Sequence, residues 1–227
     1  MKKHIPNTIT CLNLFSGCIA CTMAYEGLYK EALIWVIIAA VFDFFDGFSA
    51  RLLHSYSPIG KELDSLADAI SFGMAPGIVV YSFLNQLHPG YLAYLAFLIP
   101  VFSALRLAKF NIDTRQTVSF LGLATPANAL FWCSGIYGIS AFSFHVSHTV
   151  LYGVTVALIL IFCLLMVSEI PMFSLKFKQY KFKGNERRYI LIVATCLLFA
   201  FLGLPGISVS ILLYILLSVF IKSEEKQ

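Results

Sequence analysis

Four carboxylates stand close together in an otherwise apolar stretch of this chain: Asp43, Asp46, Asp64 and Asp68. Asp43 and Asp46 are spaced i, i+3, and Asp64 and Asp68 are spaced i, i+4. On helices, each pair therefore shares one face, about one turn apart. A carboxylate at bilayer depth costs about 2.5–3.5 kcal/mol, and four together repel one another. A bound divalent cation would neutralise them. Oxygen ligands without His or Cys favour Mg²⁺, Mn²⁺ or Ca²⁺ over zinc. Four carboxylates suit two ions that share a ligand. Two-metal sites of that kind serve phosphoryl transfer, where they clamp the attacking and leaving oxygens. Gly47 and Ala50 give small surfaces for a neighbouring helix or a phosphate. Arg51, just beyond them, carries a planar fork that suits a phosphate.

The elements that hold these residues are membrane spans. The chain has 227 residues, of which 59% are hydrophobic and 12% charged, against roughly 25% charged in a soluble domain. Mean hydropathy is +0.83. Apolar runs long enough for a hydrocarbon core of about 30 Å recur at about 6–24, 31–53, 63–86, 90–108, 122–143, 147–170, 188–203 and 206–221. The expected fold is an all-α integral membrane protein, a polytopic bundle of about eight transmembrane helices. It forms one domain over 1–227, with a six-helix catalytic core at about 5–170 and a C-terminal helical pair at about 188–221. The last two spans are short and joined by Gly203-Leu-Pro205-Gly206, so one re-entrant hairpin is an alternative. The two acidic pairs then lie on antiparallel spans joined by a turn containing Pro58 and Gly60.

Lys2, Lys3, Arg51, Lys61, Arg106, Lys109, Arg115, the cluster Lys176 to Arg188, Lys222 and Lys226 all fall on one side of that layout, and Lys30 falls on the other. The positive-inside rule places the first group, both termini and the acids at the cytoplasmic face. A multi-pass protein of the inner (cytoplasmic) membrane is expected. The basic, aromatic stretch Lys176-Phe-Lys-Gln-Tyr-Lys-Phe-Lys would favour anionic lipid. Glu169 is expected to pair with one of its lysines. The six cysteines lie in apolar spans, and Cys18-x-x-Cys21 lacks the second pair or the spaced His of a zinc site, so they read as small buried hydrophobes. The basic N-terminus resembles a signal peptide in charge, but its apolar run is a full span carrying Asn and Thr and is expected to be retained.

The string Asp43-x-x-Asp46-Gly47-x-x-Ala50-Arg51-x(8)-Gly60-x-x-x-Asp64-x-x-x-Asp68 matches the signature of the CDP-alcohol phosphotransferase family at every fixed position. The resemblance implies a dinuclear centre of Mg²⁺ or Mn²⁺ on Asp43, Asp46, Asp64 and Asp68, with Asp68 also the general base. It implies a CDP pocket formed by Gly47, Arg51, Ser57 and the Asn7-x-x-Thr10 pair of the first span. Further stretches resemble the membrane-embedded bacterial phosphatidylserine synthases of that family: Ile5 to Gly17, Asp68 to Pro76, Arg106 to Asn111, Phe120 to Pro126 and Leu165 to Ser168. This likeness implies transfer of the phosphatidyl group from CDP-diacylglycerol to L-serine, with release of CMP. Phosphatidylcholine synthases share part of the layout. Another acceptor (choline, glycerol 3-phosphate or inositol phosphate) is therefore the alternative.

A serine site needs a cation for the carboxylate, and Arg106 and Lys109 are available, with Asn111 and Thr125 as neutral hydrogen-bonding groups. A choline site would want an aromatic cage. The expected partners are CDP-diacylglycerol, L-serine and an anionic bilayer. A homodimer is compatible with this reading, and nucleic acid is not expected. A divalent-cation transporter is the distant rival. It would want inverted repeats or broken helices near the midplane, and the sequence displays neither.

Overall fold

The computed structural model describes residues 4–112, 120–142, 146–173 and 185–220. The described chain is helical apart from one pair of two-residue strands. Its helical rods are α1 (His4–Tyr25), α2 (Tyr29–Leu52), α3 (Pro58–Leu87), α4 (Tyr91–Ile112), α5 (Thr125–Phe142), α6 (His148–Val167), α7 (Glu186–Leu202) and α8 (Gly206–Phe220). Each falls where an apolar span is expected. Five of them, α1, α2, α3, α4 and α6, are long and apolar enough to cross a membrane. The others have 18, 17 and 15 residues. Fifteen residues of helix reach about 22 Å, short of the full hydrocarbon thickness.

The bundle is built for an apolar solvent. On α1 the buried positions are Pro6, Thr10, Asn13, Ser16, Gly17, Ala20 and Ala24, a stripe of small and polar residues at helical spacing. Ile5, Leu12 and Phe15, on the rest of its surface, are exposed. In water this pattern would be inverted. In lipid there is no hydrophobic drive between helices, so small residues and hydrogen bonds make the contact. The stripe packs α1 against α2 and α3, while α5 packs against α2, α3 and α8.

Helix α3 begins with a strong local signal. Ser57 is its N-cap and accepts a hydrogen bond from the Gly60 N–H at 3.1 Å, with Pro58 in the first turn. The rod is not uniform: Ala69–Met74 forms a π-helical turn immediately after Asp68. Such turns often mark functional sites.

Strands β1 (Phe120–Leu121) and β2 (Pro171–Met172) pair antiparallel and tie the entry of α5 to the exit of α6. Beside them, the Gly122 N–H donates to the Ile170 carbonyl at 2.9 Å and the Leu123 N–H to the Leu165 carbonyl at 3.1 Å. Helices α7 and α8 form a hairpin around Gly203, whose φ of 65° requires glycine.

Candidate active site

The two acidic pairs meet where the end of α2 and the start of α3 face α1. Ligand oxygens of Asp43, Asp64 and Asp68 all lie within 4.8 Å of one another. Asp46 stands outside that trio but within electrostatic range of Asp43, Asp64 and Asp68. It is buried, and its Oδ2 has no hydrogen-bond partner. Thr10 of α1 lies beside Asp46. Three converging carboxylates and a fourth with an orphaned oxygen, all buried or half-buried, form an oxygen donor set that fits divalent cations.

The structure assembles the predicted CDP-pocket residues around this cluster. Arg51 donates from Nε to the Gly47 carbonyl at 3.0 Å, so its backbone-anchored guanidinium is exposed at the end of α2. A Cβ placed on Gly47 would meet no protein atom within 4 Å. Packing does not require glycine there, and the bare backbone is open to a ligand. Gly60 is different: a Cβ would come within 2.9 Å of Asn7 Oδ1 and 3.0 Å of Ser57 Oγ. Asn7, Ser57 and Gly60 thus form one tight junction between α1 and α3, and Ser57 already serves as the helix cap. An open apolar groove of about 410 Å³, lined by Ile5, Ile9, Phe45, Phe48 and Leu52 among others, runs along α1 and α2 beside this corner.

The four residues expected at the acceptor separate into two groups. Arg106 is 8% exposed, so it does not snorkel to the interface. It lies within electrostatic range of Asp68 and of Tyr214 on α8, its guanidinium is 5.9 Å from the Phe110 ring centroid, and its Nε has no partner. Thr125, at the start of α5, is fully buried with its hydroxyl unpartnered. The other two have structural partners. Lys109 donates to the Val167 carbonyl at 3.3 Å and lies 3.8 Å from Glu169. Asn111 donates to Ser65 Oγ at 2.8 Å, and its carbonyl accepts from Lys61 at 3.0 Å. These contacts fasten the end of α4 to α6 and α3. The basic stretch expected to partner Glu169, Lys176 to Lys183, lies outside the described residues, as does Arg115.

Two polar residues were not singled out from sequence. Asn13, wholly buried on α1, donates from Nδ2 to Asp68 Oδ1 at 3.2 Å. Its place on the polar stripe, six residues after Asn7, is the signal that could have found it. Asn128, one turn after Thr125, accepts from the Trp132 indole at 3.2 Å and keeps an unpartnered buried Nδ2. Its signal is weaker, because a lone Asn in an apolar helix has many uses.

Comparison with known proteins agrees with this geometry. The family model for CDP-alcohol phosphatidyltransferase matches residues 3–174. A Helicobacter pylori (strain ATCC 700392 / 26695) protein named CDP-diacylglycerol–serine O-phosphatidyltransferase is 30% identical over 94% of this chain and 89% of its own length. A Bacillus subtilis (strain 168) protein of the same name is 35% identical over 55% of this chain and 70% of its length. One from Mycobacterium leprae (strain TN) is 38% identical over 56% of this chain, a match that spans 44% of that relative. With the acidic signature assembled in space and the family model covering most of its length, the chain belongs to the CDP-alcohol phosphatidyltransferase family.

Proposed function

We propose that this protein transfers the phosphatidyl group of CDP-diacylglycerol to L-serine, yielding phosphatidylserine and CMP. The observation that carries the reading is the buried Arg106 beside the acidic cluster. A serine carboxylate brought to four aspartates would be repelled, and a desolvated guanidinium is the group that offsets this. The names of the relatives point to the same acceptor.

In this reading all eight rods cross or enter the inner membrane, with both termini and the site at the cytoplasmic face. The lipid enters laterally, one acyl chain in the groove along α1 and α2. Asn7, Thr10, Gly47, Arg51 and Ser57 receive the cytidine diphosphate. Asp43, Asp46, Asp64 and Asp68 would hold two Mg²⁺ or Mn²⁺ ions, which supply neutralisation of the diphosphate and of the leaving group. Asp68 removes the proton from the serine hydroxyl. The oxygen attacks the phosphorus that carries diacylglycerol, the bond to the CMP oxygen breaks, and Arg51 steadies the departing phosphate. Holding hydroxyl and phosphorus in line accounts for much of the rate.

The test is an acceptor panel. Purified protein with CDP-diacylglycerol and Mg²⁺ or Mn²⁺ is offered serine, choline, inositol, glycerol 3-phosphate and inositol phosphate in parallel. Serine-dependent CMP release with formation of phosphatidylserine is expected. Preferential use of any other acceptor would overturn the serine assignment while leaving the family chemistry intact.

A further inference from the structure

The hydrogen bond from Asn13 to Asp68 leaves half of the amide unexplained. The Asn13 atom facing Asp68 is the amide nitrogen, which donates to Oδ1 at 3.2 Å. The amide oxygen is then the free end, and no donor reaches it. Asn13 is 0% exposed, so bulk water does not satisfy that oxygen either. Buried acceptors of this kind are uncommon and call for an explanation.

The amide cannot swing away easily, because α1 is locked at this point. Ser71, in the π-helical turn, donates to the Asn13 carbonyl at 3.0 Å. One turn along, a Cβ on Gly17 would collide with Ser71 Oγ and come within 2.8 Å of its Cα. Helix α1 and the turn after Asp68 are thus in backbone contact. That contact fixes the stretch of backbone from which the Asn13 amide reaches Asp68.

We propose that Asn13 selects the acceptor: its N–H steadies Asp68, and its free amide oxygen receives the ammonium group of an amino-alcohol acceptor. The inference rests on the serine reading above and adds the second half of acceptor recognition. A cationic donor suits this position because the Asp68 carboxylate lies at the other end of the same amide. With Arg106 on the opposite charge, serine is held at three points. Its hydroxyl lies at Asp68, its ammonium at Asn13 Oδ1 and its carboxylate at Arg106. Asn13 acts through Asp68 and through binding, so it is a positioning and specificity residue rather than the base.

The experiment compares L-serine with 3-hydroxypropanoate, the same hydroxy acid without the amino group, as acceptors at saturating CDP-diacylglycerol. CMP release gives kcat/KM for each. A hydrogen bond to a charged group accounts for roughly a 10–100-fold preference for serine in the wild type. In Asn13→Ala the ratio should fall towards one, with serine KM raised, while both acceptors share a lower kcat from the loosened Asp68. Asn13→Asp keeps an oxygen acceptor and loses the donor, so it should keep the preference at reduced kcat. Equal use of the two acceptors by the wild type overturns the proposal. An unchanged ratio in Asn13→Ala does so too, leaving Asn13 as a tether of Asp68 only. If Asn13→Ala does not fold, Asn13→Leu, which keeps the volume and removes both polar atoms, is read in its place, and an unchanged preference there overturns the proposal. Absence of serine transfer in the wild type would refute the serine reading, whereas serine transfer without ammonium preference refutes only the role of Asn13.

Discussion

At the scale of single residues, the site separates side chains that hold the fold from side chains left open for a ligand. Gly47 is the clearest instance, because nothing in the protein occupies the space of its missing Cβ. Gly47→Ala should leave thermal stability unchanged or slightly raised, since alanine is the better helix former by about 1 kcal/mol. It should nevertheless raise the KM for CDP-diacylglycerol about tenfold or more, the order of one charge-assisted hydrogen bond. A fall in melting temperature without a change in lipid KM would return Gly47 to a packing role. Asp68→Asn removes the base and keeps an oxygen for a ligand. Turnover should fall by about 10²–10⁴, while CDP-lipid binding persists; near-normal turnover would sink the base assignment. Arg106→Ala should raise serine KM by about 10–100-fold, the scale of a lost charged hydrogen bond, with the lipid KM little changed. A uniform loss of kcat at constant serine KM would refute the carboxylate clamp. The grouping of the acids at one corner, with Gly47 and Arg51 on the same helix end, was legible in the sequence because the spacing is local and survives any packing of the helices. The distinct fates of Arg106 and Lys109 were not, although they lie three residues apart. Lys109 finds its partner 58 positions away at the end of α6, and only tertiary packing decides that.

At the scale of elements, two joints keep the acids in register. The first is α1 against the π-helical turn of α3, where Asn13, Gly17 and Ser71 meet. Sequence patterning predicted a span across 63–86 but no change of helical period within it, because a π turn follows from how the neighbouring helices pack. The second joint is the strand pair that ties α5 to α6. Gly122 there has φ 69°, and a Cβ would stand 2.5 Å from the Met166 carbonyl oxygen. Gly122→Ala therefore meets both backbone strain and a collision with main chain that cannot step aside. A loss of about 1–3 kcal/mol is expected, read as a lower midpoint of thermal unfolding in detergent. Gly153→Ala is the control, since its Cβ would meet nothing within 4 Å. Equal melting temperatures for the two variants would show that this joint gives way at little cost. A glycine in a loop announces a turn in the sequence, but the carbonyls of α6 that make this one irreplaceable come from more than forty residues away.

At the scale of the whole molecule, the question is which side of the bilayer the site faces. The described turns at 26–28, 53–57 and 88–90 are short. The turn at 53–57 therefore lies at the end of the bundle that carries Asp43 and Asp68. The turns at 26–28 and 88–90 lie at the other end. In the sequence, lysine and arginine crowd the segments expected at the first end and nearly vanish from those expected at the second, a bias that sets orientation during insertion. A substrate argument agrees with the charge argument: a nucleotide-activated lipid and a free amino acid are both cytoplasmic goods. In a variant with its native cysteines replaced, a single cysteine introduced at Gly90 should react with a membrane-impermeant thiol reagent applied to intact spheroplasts. One introduced at Ser57 should stay protected until the membrane is opened. The short rods α7 and α8 sharpen the test, because they are the pair whose crossing is least secured by length. A cysteine at Leu204, in the turn between them, should label from outside if both cross, and from neither side if they form a re-entrant hairpin. Labelling at Ser57 in sealed spheroplasts would place the acidic cluster on the side without cytidine nucleotides, and the proposed reaction would lose its substrate supply.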